Sequence, residues 1–185
     1  MKKKNDLCPW QHGPALMSSA RKLIQNPRRI LAPYLSEGMT TMDIGCGMGY
    51  FTLPMSHIVG GKGNVVAVDL QAEMLEGLKK NIQKAGVDNV IPHQCAQDSL
   101  HVGRWNGTVD FALIFWMLHE VSDPERLIME LHTALSPQGK LLFAEPVTHV
   151  SGDAFQKSSK LIAESGFTAA GAPRIQFSRA ALFQK

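Results

Sequence analysis

Short apolar strands alternate with helical segments through most of this 185-residue chain, which predicts an α/β fold built on a mostly parallel sheet. Three observations carry that prediction. Residues 40–51 read as a short buried strand, a glycine turn and then a helix start. Residues 65–69 are an unbroken apolar run ending in an acid, the pattern of a parallel strand buried on both faces. Near the C-terminus the alternation gives way to two strands joined around Pro173, a hairpin that closes a run of βα units.

Before the first strand, residues 17–24 read as helix, with Leu16, Ala20, Leu23 and Ile24 at helical spacing. Asn26-Pro27 then supplies a cap and a first-turn proline for a second helix over 28–35. Trp10, His12 and Tyr34 are the pocket candidates of this N-terminal section. After the glycine turn a helix runs to about Val59, with Pro54 tolerated near its first turn, and Gly60-Gly61 stops it. The strand 65–69 leads to a helix over 71–85, where Met74, Leu75, Leu78 and Ile82 share one face and Gly86 ends the run. A third strand covers 89–94 and a fourth 109–115. Ser122 or Asp123 caps a helix opened by Pro124, with Leu127, Ile128, Leu131 and Leu135 on its buried face. A turn over 136–139 precedes a fifth strand at 140–146, then come a helix over 150–166 and strands over 167–172 and 175–183.

Composition suits one globular domain, with 44% hydrophobic and 19% charged residues. Lys2-Lys3-Lys4 equals the whole net charge of +3 and reads as a solvated terminus, since no interleaved basic and aromatic pattern follows to suggest nucleic acid. The longest apolar run, residues 111–118, is far short of the roughly 20 residues a membrane helix needs. No apolar signal core follows the basic start, so the expected location is the cytoplasm. Cys8, Cys46 and Cys95 are too widely spaced for a CxxC metal pair and fit reduced thiols; no metal site is expected.

The glycine turn limits the ligand by its charges. Gly45, Gly47 and Gly49 let the backbone turn at positive φ beneath a nucleotide-like ligand. Residues 43–52 hold no Lys or Arg, so the lysine of an ATP- or GTP-binding phosphate loop is missing. A dinucleotide fingerprint needs its third glycine at position 50, where this chain has Tyr50, which weakens NAD binding without excluding it. Asp43, two residues before the first glycine, suits a ligand that carries positive charge. Asp69, twenty residues beyond Gly49, suits the two hydroxyls of an adenosine ribose.

In Asp43, Gly45, Gly47 and Gly49 the chain resembles the class I S-adenosylmethionine-dependent methyltransferases, whose first motif is acid-x-Gly-x-Gly-x-Gly after a hydrophobic strand. Residues 109–115 resemble that family's fourth strand, and Leu118-His119-Glu120-Val121-Ser122-Asp123 its following segment. The resemblance covers about residues 27–185. It implies a three-layer Rossmann-like fold whose seven-stranded sheet is parallel except for an antiparallel last strand. It also implies a helical cap over 1–38 on a core over 39–185, and S-adenosylmethionine as cofactor. Cofactor contacts would come from Asp43, Gly45, Cys46, Gly47, Gly49, Asp69, Leu70, Ala96, Gln97, Asp98 and Phe115. Adenine is the loosest part of the match, because Cys95 stands where the family usually has an acid.

Methyl transfer from a sulfonium needs alignment and exclusion of water more than a catalytic side chain. Where the acceptor must lose a proton, His119, Glu120, Glu145 and His149 are the candidate bases near the ends of the fourth and fifth strands. The expected partner is a small-molecule methyl acceptor, without nucleic acid or membrane. An NAD-dependent or non-catalytic nucleotide-binding domain is the alternative reading.

Overall fold

The computed structural model describes residues 24–185 and Gln11, and it folds them as a seven-stranded sheet in the order β3-β2-β1-β4-β5-β7-β6. The strands are β1 (Thr40–Ile44), β2 (Asn64–Asp69), β3 (Val90–Gln94), β4 (Val109–Phe115), β5 (Leu135–Pro146), β6 (Thr168–Gly171) and β7 (Ser178–Gln184). The helices are α1 (Pro27–Leu31), α2 (Thr52–Val59), α3 (Ala72–Ala85), α4 (Pro124–Ala134) and α5 (Gly152–Glu164). Strands β1 to β5 pair in parallel, and β7 lies antiparallel between β5 and β6. Among the described residues, no helix is long and apolar enough to cross a membrane.

Because side chains alternate across a strand, the central strands feed two cores, one on each face of the sheet. Val65, Ala67, Phe111 and Leu113 pack with Leu31, Met55, Leu75 and Leu78 from α1, α2 and α3. Met42, Ile44, Val66, Val68, Ala112 and Ile114 pack with Leu127, Ile128 and Leu131 of α4 and Phe155 and Ile162 of α5. The result is three layers, helix, sheet and helix, around strands buried on both faces.

Local chemistry sets the element ends. Asn26 accepts from the Arg29 amide at 3.2 Å and opens α1. Asp123, rather than Ser122, caps α4 by accepting from the Arg126 amide at 3.0 Å. Gly86 ends α3 in the left-handed conformation, at φ +64°.

Four elements differ from the expectation. Helix α1 stops at Leu31 instead of 35, because the chain turns to lay the Tyr34 ring parallel to Phe111, centroids 6.0 Å apart. Strand β5 begins at Leu135 instead of 140: Leu135 already pairs with Val109, and the expected turn becomes an irregularity in the β4–β5 register. Helix α5 is shorter at both ends than 150–166, with Ser151 as its cap. Strand β7 starts at Ser178 instead of 175, since Ile175 is drawn into the core from the preceding loop and Phe177 takes φ +58°. The expected helix over 17–24, Lys2-Lys3-Lys4, Cys8, Trp10 and His12 lie outside the described residues, save for Ile24.

Candidate active site

In an open α/β sheet, ligands lie beyond the carboxyl ends of the strands where the strand order reverses. Here that point falls between β1 and β4, and a crevice of about 890 Å³ opens there. Its wall includes all of the expected cofactor contacts except Gly49, together with His119, Glu120 and His149.

Sheet and helices hold the glycine turn from below. The Gly45 and Cys46 amides both donate to the Val68 carbonyl, at 2.9 and 3.0 Å. The Gly47 amide donates to Asp69 Oδ2 at 2.8 Å, and the Gly49 amide to the Cys46 carbonyl at 3.0 Å. Two of the glycines are required by close packing as well as by positive φ. A Cβ on Gly49, at φ +98°, would stand 2.6 Å from Leu78 Cδ1 of α3. One on Gly45, at φ +72°, would meet Met117 Cγ at 2.8 Å. Gly49 therefore serves the helix packing behind the turn while Gly45, Cys46 and Gly47 face the crevice.

Two acids flank the turn. Asp43 is 3% exposed, and its Oδ2 accepts from the Thr52 hydroxyl at 2.6 Å. Burial first, then the neighbouring Asp69 charge, pushes its pKa up to about 7, with the Thr52 bonds opposing. Asp69 is 8% exposed; besides holding Gly47 it accepts from the Gln71 amide through Oδ1 at 2.9 Å. Burial raises its pKa as well, against the amides of Gln71, Gly47 and Leu70. Asp69 thus holds the backbone at Gln71, the residue just before α3, and has a place in the crevice wall.

After β3, the Cys95 amide donates to the Asp69 carbonyl and the Ala96 amide to the Ser99 carbonyl, at 3.0 and 2.9 Å. Ala96 lines the crevice with its amide engaged in this turn within residues 96–99. Gln97, Asp98 and Ser99 line the crevice here. Burial pushes the Cys95 thiol up to about 11, and the Cys46 thiol is raised also, so neither is a thiolate nucleophile near neutral pH.

The opposite wall comes from β4 and β5. Phe115 ends β4 with its ring 4.4 Å from Phe51 and 5.5 Å from Trp116, between centroids. Trp116, which the sequence analysis passed over, adopts φ +62° and donates its indole N–H to the Ser178 hydroxyl at 2.9 Å. A bulky residue in the left-handed region next to a crevice marks a backbone held there by its surroundings. The one sequence hint was its place at the end of a buried strand. Glu145, 1% exposed at the end of β5, bonds to the backbone amide and ring of His119. Tyr34 is not in this wall; its ring sits against Phe111, toward the other end of β4. Among the described residues no group of three or more His, Cys, Asp or Glu could hold a metal.

The crevice wall, as described, includes Asp43, Asp69, Asp98, Glu120 and Asp123 but no Lys or Arg. Most of the turn's amides are spent on the protein itself. Such a surface is rich in acceptors and anionic charge, which suits a cationic ligand with hydroxyl and amine donors and opposes a diphosphate.

Comparison with known proteins agrees with this geometry. A crystal structure of an S-adenosylmethionine-dependent methyltransferase from Aquifex aeolicus superimposes with a TM-score of 0.86 at 22% identity, covering 96% of this chain and 98% of that one. A putative S-adenosyl-L-methionine-dependent methyltransferase from Methanococcus maripaludis gives a TM-score of 0.77 at 13% identity, over 100% and 97% of the two chains. The ubiquinone/menaquinone biosynthesis C-methyltransferase UbiE of Haemophilus ducreyi is 30% identical over 114 residues, 60% of this chain and 44% of that protein. The chain spans less than half the length of the curated relatives it matches. The fold is that of the class I S-adenosylmethionine-dependent methyltransferases. Residues 35–172 match the methyltransferase domain family model, and the chain belongs to that family.

Proposed function

We propose that this chain binds S-adenosylmethionine in the crevice at the β1–β4 switch point and transfers its methyl group to a small-molecule acceptor. The observation that carries this reading is the charge of the wall: five acids and no Lys or Arg among its described residues. A sulfonium and an ammonium find partners there, whereas a pyrophosphate would meet carboxylates and few open amides. The crevice, at about 890 Å³, is within the size range of small-molecule sites, roughly 300–1,000 Å³.

The residues present fit the cofactor. Asp69 keeps acceptor capacity beyond that used by the amides of Gly47, Gln71 and Leu70, which suits the ribose hydroxyls. Asp43 is buried beside the turn, held by the Thr52 hydroxyl and backbone amide, and its remaining acceptor capacity suits the ammonium of the amino-acid end. Gln97 or Asp98 would meet the adenine amine, with Leu70, Cys46 and Phe115 as apolar contacts. When bound, the cofactor supplies a methyl carbon already activated on sulfur. The chain's contribution is to align the acceptor with that carbon and exclude water, effects worth up to roughly 7–11 kcal/mol in favourable cases. The relatives named for C-methylation in quinone biosynthesis support small-molecule transfer as the class of activity.

Titration calorimetry with S-adenosylmethionine, S-adenosylhomocysteine and NADH tests the reading. The first two should bind and NADH should not; binding of NADH alone would reject it in favour of a dinucleotide-binding domain.

A further inference from the structure

The β4–β5 wall holds a side-chain pair that the cofactor contacts leave unused. Glu145 gives both carboxylate oxygens to a single residue: Oε1 accepts from the His119 backbone amide at 3.0 Å, and Oε2 lies 2.8 Å from its Nδ1. A carboxylate only accepts, so Nδ1 carries the proton and Nε2 is left as the nitrogen with the lone pair. The backbone bond fixes where the ring is hung, and the ring bond fixes its tautomer and rotation. Around Nε2, Glu120 Oε1 is 3.8 Å away, beyond hydrogen-bond range, and the His149 ring lies parallel at 6.4 Å between centroids. His119, Glu120 and His149 all line the crevice. An almost fully buried acid that orients an imidazole lining a crevice is the orienter-and-base arrangement found in enzymes on unrelated folds.

We propose that His119 Nε2 is the general base for the methyl acceptor and Glu145 its positioning residue, which makes the acceptor a weakly acidic O–H compound of the phenol or enol class. The inference rests on the methyltransferase reading above. A thiolate or a neutral amine attacks with a lone pair already free, whereas a phenol or enol gains nucleophilicity when its proton is removed. The acceptor oxygen gives its proton to Nε2 and an electron pair to the methyl carbon, the sulfur keeping the pair of the broken C–S bond. His119 then releases the proton to solvent through its exposed side.

The titratable groups facing His119 are Glu145 from β5, Glu120 from its own turn and His149 from the loop after β5. Arg179 of β7, opposite Glu145 in the ladder, is directed to the Val150 carbonyl instead, at 2.7 Å. The Glu145 bond raises the His119 pKa, burial opposes the rise, and the Glu145 and Glu120 charges add to it. A stronger base results, free to accept a proton above that raised value.

The test uses wild type, His119→Gln and Glu145→Gln, each saturated with S-adenosylhomocysteine as measured by calorimetry. 4-Nitrophenol is then titrated in at a pH below its own pKa, where the free probe is protonated and colourless. With wild type, the bound probe should show nitrophenolate absorbance, a direct sign of proton transfer that a merely structural histidine would not give. The signal should vanish in His119→Gln. In Glu145→Gln it should fall, because the Glu145 bond that raises the basicity of the imidazole is lost. Wild type that binds S-adenosylhomocysteine but yields no nitrophenolate overturns this inference alone, as does an undiminished signal in His119→Gln. Wild type that does not bind S-adenosylhomocysteine overturns the methyltransferase reading and this inference with it.

Discussion

On the β1–β2 side of the crevice the backbone amides from Gly45 to Gly47 are tied to the next strand, to Val68 and Asp69. On the β4–β5 side the geometry is held by side chains that reach between strands: Glu145 to His119, and Trp116 to Ser178. The first wall joins the ends of two consecutive strands, β1 and β2, and its donors are backbone amides. The second is assembled from segments 26 and 62 residues apart. A cofactor shared by many enzymes can be met by a fixed backbone turn, while an acceptor particular to one enzyme calls for side chains that can differ. Damage to the first wall should therefore appear in cofactor binding, and damage to the second in the acceptor step.

The largest expected effect is at Asp69. Replacing it with Ala removes the carboxylate for the ribose and strands the Gly47 and Gln71 amides. With two charge-assisted bonds at about 1.5–3 kcal/mol each, the Kd for S-adenosylmethionine should rise by about 10²–10⁴-fold. Unchanged calorimetry would break the assignment of this wall to the cofactor.

The next effect is a pH dependence. The folded-state pKa of Asp43 is raised to about 7, so Asp43 is protonated below that value and carries its charge above it. Affinity for S-adenosylhomocysteine should strengthen as pH rises through about 7, by up to about tenfold per unit on the acid side. Asp43→Asn should weaken binding and flatten the curve. The stability of the free protein follows the opposite sign. A carboxyl whose folded pKa lies above its unfolded value makes folding less favourable as pH rises between the two, from the ordinary carboxylate range to about 7. Thermal melts of the free protein across that interval check the sign.

Gly49→Ala sharpens the comparison from behind the turn. The new Cβ at φ +98° would stand 2.6 Å from Leu78 Cδ1, so strain and a clash on α3 act together. A loss of about 1–2 kcal/mol from the backbone alone corresponds to a Tm lower by roughly 2–8 °C. Calorimetry read beside the melts separates this loss of stability from loss of cofactor contacts.

The smallest effect is at Ser178→Ala, which removes the acceptor of the Trp116 indole at 2.9 Å. It should cost about 0.5–1.5 kcal/mol in denaturant unfolding and leave the Kd for S-adenosylhomocysteine unchanged. A tenfold weaker Kd would show that the two walls are coupled.

Much of the fold was legible in the sequence because its signals are local. A buried parallel strand announces itself as a continuous apolar run, as at residues 65–69, and Asn26, Asp123 and Gly86 mark helix ends through bonds within a few residues. The misplaced ends have tertiary causes. Helix α1 stops early for the stacking of Tyr34 on Phe111, and β5 starts early because Leu135 finds Val109. The bond from the Ala96 amide to the Ser99 carbonyl is likewise set by the turn after β3, which no spacing could reveal.

What the residues by themselves determined is the chemistry of the glycine wall: acids and no Lys or Arg over 43–52, with three glycines between Asp43 and Tyr50. That is fixed by composition and by backbone geometry over a few positions. The tertiary structure alone decided which of His119, Glu120, Glu145 and His149 lie side by side, and that Trp116 rests on Ser178. Such pairs depend on how strands distant in sequence are laid side by side and on which face each side chain takes, and a shift of one residue in register would turn them away from each other.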